Sequence, residues 1–154
     1  MNLRHDLIEC FVVRPGSTGH EFLLLRRSPG RHMAGAWYTV AGRMEAGETA
    51  VQTALRELRE ETALQPLELY CLDRINSFYV PSQDTLWHAI IFCAIVPADP
   101  PVHLNPEHEA FSWVSRQTAP AHFIWPSCRE SVAQIGTEIL DGSIAKPHMR
   151  VPLP

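Results

Sequence analysis

Between Thr49 and Thr62 the sequence TAVQTALRELREET sets Val51, Ala54, Leu55, Leu58 and Thr62 at spacings of three and four. That is the period at which side chains share one face of an α-helix. A helix with a single apolar stripe has to lay it against another layer, and the flanking segments supply one. Leu7 to Arg14 and Glu21 to Arg27 are apolar runs rich in Val, Ile, Leu and Phe around the turn-forming stretch Pro15 to Gly19, which predicts a β-hairpin. Ala36 to Ala41 reads as a short strand ending at Gly42, after a loop from Ser28 to Gly35. Leu67 to Val80 and Leu86 to Val96, bounded by Pro66, Pro81 and Pro97, read as two longer neighbouring strands, and Phe111 to Val114 as another short one. A second helix is expected over Ser127 to Leu140, with Ser127 as its N-cap and Gly142 beyond its end. Lys146 to Pro154 has no period and reads as an irregular strap or mobile end. The expected class is α/β, a mixed sheet with helices on its faces, in one domain spanning residues 1–154.

Composition narrows the function classes. A formal charge of −4 provides no broad positive field, so polymeric nucleic acid is not an expected partner. Cys10, Cys71, Cys93 and Cys128 stand singly in apolar stretches and read as buried free thiols. His5, Asp6 and Glu9 interrupt the N-terminus where a signal peptide needs apolar residues, and no apolar run reaches membrane-spanning length. A cytoplasmic protein is expected, with no membrane partner.

The helix carries more than its apolar stripe. Glu57, Glu60 and Glu61 fall within an arc of roughly 100° at the edge of that stripe. Three like charges on one face are mutually unfavourable, and a divalent cation compensates them. Hard carboxylate oxygens with few other protein ligands suit Mg²⁺, with Mn²⁺ as the second choice. A solvated acidic helix face is the alternative reading of the same three residues.

Gly42, Glu48, Arg56-Glu57-Leu58, Glu60-Glu61 and Leu64 together resemble the Nudix box, G-x5-E-x7-R-E-U-x-E-E-x-G-U with U a bulky aliphatic residue. Only the second glycine differs, being Ala63. The resemblance implies a Nudix-type α/β/α sandwich with a mixed β-sheet. It also implies metal binding by Glu57, Glu60 and Glu61, assisted by a backbone carbonyl at Ala41 or Gly42. Arg56 is either the group that orients the carboxylates or one half of a surface i, i+4 pair. Glu48 precedes the helix and has a structural role at its amino end. If position 63 requires a positive φ, alanine there costs about 1 kcal/mol relative to glycine.

The implied reaction is metal-dependent hydrolysis of a phosphoanhydride bond in a nucleoside triphosphate or related nucleoside diphosphate derivative, releasing a monophosphate. Within the family, Asn105-Pro-Glu-His-Glu-Ala-Phe-Ser-Trp113 resembles the E-H-x-x-x-x-W stretch of dihydroneopterin triphosphate and deoxynucleoside triphosphate pyrophosphatases. That makes Glu107 a second candidate for the general base. Arg27 is a candidate for the substrate phosphates, and Trp37 for stacking on a base, against a solvated arginine and a core aromatic. His32, His88, His108 and His122 have no ligand spacing and are read as non-metal residues. ADP-ribose, a dinucleoside polyphosphate or oxidised dGTP are alternative substrates, and a non-catalytic nucleotide-binding module is a further reading. A homodimer is compatible with the resemblance.

Overall fold

The computed structural model describes residues Met1–Pro154. Its elements run β1 (Asn2–Gly16), β2 (Gly19–Arg27), β3 (Trp37–Tyr38), β4 (Val40–Arg43), α1 (Ala50–Thr62), β5 (Glu68–Val80), β6 (Thr85–Ile95), β7 (His108–Ser115), α2 (Ala119–His122), α3 (Pro126–Gln134), α4 (Lys146–Met149) and β8 (Arg150–Val151). All the strands belong to one mixed sheet with the central order β3-β2-β1-β6-β5-β8. β1 and β6 are parallel, and every other pairing is antiparallel.

The expected hairpin forms, with Gly16 opposite Gly19. Away from that turn β1 and β2 part, and the 37–43 segment fills the fork. Its first half pairs with β2 (Leu25 opposite Tyr38) and its second with β1 (Ile8 opposite Gly42). The single strand expected over 36–41 is therefore two, broken at Thr39, whose hydroxyl donates to the Cys10 carbonyl at 2.6 Å. This wedge delivers Ala41 and Gly42 to the sheet edge beneath α1.

Alternate residues on the central strands enter two separate cores, which explains why those strands read as unbroken apolar runs. Ile8, Cys10, Val12, Phe92 and Ala94 meet Ala54 and Leu58 of α1. Phe11, Val13, Ile91 and Cys93 meet Phe123, Cys128, Val132 and Ile135 on the other face. The result is the three-layer α/β/α arrangement. Thr49 caps α1 with a reciprocal pair: its hydroxyl accepts from the Gln52 amide at 3.2 Å, and Gln52 Oε1 accepts from the Thr49 amide at 2.9 Å.

Three expectations are corrected. The C-terminal helix starts with Trp125 at the N-cap and Pro126 in the first turn, and Ser127 makes no cap hydrogen bond. After Gln134 that helix widens into a π-helical stretch, Ile135–Leu140. There the Arg116 guanidinium packs so closely on Gly136 that a Cβ would lie 2.6 Å from it. The tail is ordered: α4 leads into β8, which pairs with β5 through Leu69 and Tyr70. Cys71 is half-buried, unlike the other three thiols. No helix is long and apolar enough to cross a membrane.

Candidate active site

The acidic face of α1 is divided by its neighbours. Glu61 is 1% exposed, Glu57 12% and Glu60 50%, so the three predicted ligands sit at three depths. Glu57 lies against Gly42, where a Cβ would fall 2.5 Å from its Cγ. Only glycine allows β4 and α1 to come this close. Both oxygens of Glu61 are shut off from solvent with no hydrogen-bond partner. The Ala41 amide favours its charged form, yet burial and the neighbouring Glu107 and Glu57 push the acid well above its usual range. The Ala41 amide lies near Glu61 without meeting hydrogen-bond geometry. Glu57 is also raised, chiefly by burial, against the opposing pull of Arg56.

Arg56 is more than a surface partner. It donates to Glu48 at 2.7 and 3.0 Å, to Glu57 at 2.8 Å, to Glu60 at 3.2 Å and to the Arg43 carbonyl at 3.0 Å. One guanidinium thus ties Glu48, Glu57 and Glu60 together. Glu48 keeps to the amino end of α1 without a hydrogen bond to the helix amides. It grips Arg56 and accepts from the Thr53 hydroxyl at 2.8 Å and the Glu45 amide at 3.0 Å, and these contacts hold its pKa down at about 2.

A cavity of about 390 Å³ opens over this corner, lined by Ala41, Gly42, Arg43, Met44, Glu45, Arg56, Glu57 and Glu107. The structure thus brings Glu107, from the loop before β7, to the same cavity as the helix. Arg27 reaches that loop, with Nη1 3.9 Å from Glu107 Oε2. Trp37 is placed elsewhere. It is half-buried on β3 and packs against the core on the far side of the sheet, so it does not line the acidic cavity.

The sequence marks His108 only as a non-metal residue, because isolated histidines carry no ligand spacing. In the fold its ring is buried beside Glu61, Nδ1 to Oε2 4.0 Å, and neither ring nitrogen has a hydrogen-bond partner. Burial, with Arg27 and Arg31 nearby, lowers its pKa to about 4, so at neutral pH it is an uncharged imidazole. Its place directly after Glu107 was the available signal.

No three His, Cys, Asp or Glu side chains converge on a single metal-sized point. Glu57 and Glu60 lean toward Arg56. The donor set still fits a hard divalent ion: oxygen-only groups around a cavity, two of them destabilised as anions by burial, and one with both oxygens unpartnered.

Comparison with known proteins agrees with this geometry. The NUDIX domain profile matches residues 4–135. An octanoyltransferase of Myxococcus xanthus is 41% identical over 125 residues, 79% of this chain but only 34% of that protein, so the likeness is to one portion of it. The asymmetrical bis(5'-nucleosyl)-tetraphosphatase of Mus musculus is 32% identical over 101 residues, covering 64% of this chain and 67% of that one. The E. coli dihydroneopterin triphosphate pyrophosphohydrolase superposes with a TM-score of 0.66 at 26% identity, covering 82% of this chain and 92% of that chain. A family profile spanning most of the sequence, set on an α/β/α sandwich with the acidic helix against a glycine of the sheet edge, places this chain in the NUDIX family.

Proposed function

We propose that the protein is a Mg²⁺-dependent pyrophosphohydrolase, with Mn²⁺ as a substitute, that cleaves a nucleoside triphosphate or related nucleotide anhydride and releases a monophosphate. The observation that carries this reading is Glu61. A buried carboxylate with both oxygens unpartnered, near enough to feel the charges of Glu57 and Glu107 that line the open cavity, is a costly arrangement unless a cation completes it. Glu57, Glu60 and Glu61 would hold the ion together with the Ala41 or Gly42 backbone. Such an ion would supply neutralisation of negative charge on the substrate phosphates.

The chain's own groups divide the remaining work. Arg56 holds the Glu57 carboxylate at one wall of the cavity and ties Glu60 to it. Glu107, on the opposite loop, is positioned to take a proton from the attacking water, and Arg27 beside it offers charge-assisted hydrogen bonds to substrate phosphate. Neutral His108 adds no competing positive charge next to Glu61.

A second reading, cleavage of a dinucleoside polyphosphate, is favoured by the likeness to the bis(5'-nucleosyl)-tetraphosphatase. Release of monophosphate from a panel of dATP, dihydroneopterin triphosphate, Ap4A and ADP-ribose, with and without Mg²⁺, tests both readings. Activity that survives in Glu60→Gln and Glu61→Gln would refute the proposed metal site. Cytoplasmic location and homodimeric assembly accompany this reading, and fractionation and light scattering check them.

A further inference from the structure

One edge of the sheet is left open. β8 closes β5 only at Leu69 and Tyr70, and no other strand lies on the outer side of β5. Continuing the β8 register along β5 would take residues 140–148, but these are held in the π-helical stretch, in turns and in α4. The first part of the open edge is blunted, because pairing with β6 is irregular between Cys71 and Ile75 and Asp73 and Arg74 place charge there. From Ile75 to Val80 neither device is present. The register with β6 is unbroken, from Ile75 opposite Ile90 to Val80 opposite Thr85, and Ile-Asn-Ser-Phe-Tyr-Val carries no charge and no proline. In such a run half of the backbone N–H and C=O groups point away from the neighbouring strand. None of these has a backbone partner elsewhere in the fold.

An apolar strip reaches the same edge from the core beneath α1. Across the strands Ile8 stands opposite Ile90 and Ile90 opposite Ile75, and further out Leu3 stands opposite Leu86 and Leu86 opposite Tyr79. Ile8 is sealed in the core under α1. Cover runs out toward the edge, where Ile75 is 51% exposed, Tyr79 48% and Leu3 57%. A regular, uncharged strand of this composition, open along its backbone and apolar on one face, is a template for pairing with another strand.

We propose that a second copy of this chain completes the edge, the two β5 strands pairing antiparallel about a two-fold axis at Ser77 so that two sheets become one. In that register Ile75 lies opposite Tyr79 of the second copy, and Tyr79 opposite its Ile75, on the face that carries the apolar strip. Asn76 meets Phe78 on the other face, and Arg74 falls opposite Val80, so no like charges are opposed. The run is thus its own complement, as an isologous contact requires, and its apolar pairs are of the kind that stabilise neighbouring strands. That self-match commits the edge to a copy of the chain rather than to a foreign strand. α1 packs on β1 and β4, away from this edge, so the contact is separate from the acidic cavity and does not depend on the hydrolase reading.

Sedimentation of the full chain over a range of concentrations, with thermal melting of the same samples, tests it. The wild-type protein is expected to be a dimer at micromolar concentration. Ile75→Lys sets an ammonium against Tyr79 at both ends of the paired run. It is expected to weaken association on the order of 100-fold, because a two-fold contact presents the substitution twice. The melting temperature of the monomer should stay close to wild type, since Ile75 already faces solvent. Ser77→Cys reads the register. On the two-fold axis the new thiol meets its own copy, and directly opposed strand residues lie about 4.5–5.5 Å apart at Cα, a span a disulfide bridges. Treatment with oxidised glutathione is expected to give a covalent dimer of Ser77→Cys on a non-reducing gel and none of wild type, whose only cysteine on β5, Cys71, lies outside the paired run. A wild-type protein that is monomeric at every concentration overturns the proposal, as does a dimer that Ile75→Lys leaves intact. A dimer whose Ser77→Cys form does not cross-link uses another surface or register and overturns it too, and this arm carries the test if Ile75→Lys fails to fold.

Discussion

Gly42→Ala separates the chemistry of the site from the stability of the fold. The added Cβ would stand 2.5 Å from Glu57 Cγ and closer still to the carboxyl group. Non-bonded carbons sit about 3.5–4.0 Å apart, so the Glu57 side chain has to withdraw by about 1 Å or more. It can do so, since it is flexible and faces an open cavity, and the strand pairing of Gly42 with Ile8 is untouched. What is lost is the position of one carboxylate relative to Glu61, Glu107 and the Arg56 clamp. A misplacement of about 1 Å at a catalytic centre costs on the order of 100-fold, equivalent to about 2.7 kcal/mol of barrier. The expectation is therefore a roughly 100-fold fall in kcat/KM for the preferred nucleotide, a weaker Mg²⁺ dependence, and a melting temperature within a few degrees of wild type. Steady-state kinetics across a Mg²⁺ titration, with thermal melting of the same preparation, reads all three. If Gly42→Ala keeps activity within a few-fold of wild type, Glu57 is not a ligand held by close packing, and the assignment of the cavity fails.

Ala63 ends α1 in the left-handed region, φ 61° and ψ 12°, with its amide on the Arg59 carbonyl at 2.8 Å. Ala63→Gly is expected to stabilise by up to about 0.6 kcal/mol after the gain in unfolded-chain entropy is subtracted, roughly 1–2 °C for a chain of this size, with unchanged kinetics. A lower melting temperature would contradict the cap geometry. Arg56→Gln removes the group that ties Glu48, Glu57 and Glu60 together, and a loss of roughly 10- to 100-fold in metal affinity or activity is expected in a metal titration. His108, lowered to about 4 in the fold from an ordinary 6.5, stays neutral where the unfolded chain is already protonated. Its contribution to stability therefore falls as pH drops from about 6.5 to 4 and is level outside that window. Buried Glu61, raised by its surroundings, acts in the opposite sense, because it takes up its proton at a higher pH in the fold. Comparing urea denaturation of wild type and His108→Phe across this range isolates the histidine: the variant should gain relative stability as pH falls, and parallel curves would refute the buried neutral imidazole.

The sequence alone determined the helix, its apolar stripe, its three carboxylates and the glycine ahead of it. All of these depend on local periodicity and on residues within one short segment. It also marked Arg56, because an arginine four residues before Glu60 has to lie on the same helical face. Tertiary structure decided how deep each acid lies. Glu57, Glu60 and Glu61 are equivalent in an angular projection, yet the packing around α1 seals Glu61, leaves Glu57 nearly buried and leaves Glu60 half-exposed. The same packing set His108 against Glu61, moved Trp37 to the far core and joined Glu9 to Tyr38, Asn76 and Ser127. Those partners come from strands and a helix distant in sequence, and no period along the chain encodes their meeting. The acid cluster that first pointed to a metal was legible because a helix repeats every 3.6 residues. Its depth was not, because burial depends on which backbone can approach, and here only the absent side chain of Gly42 permits it.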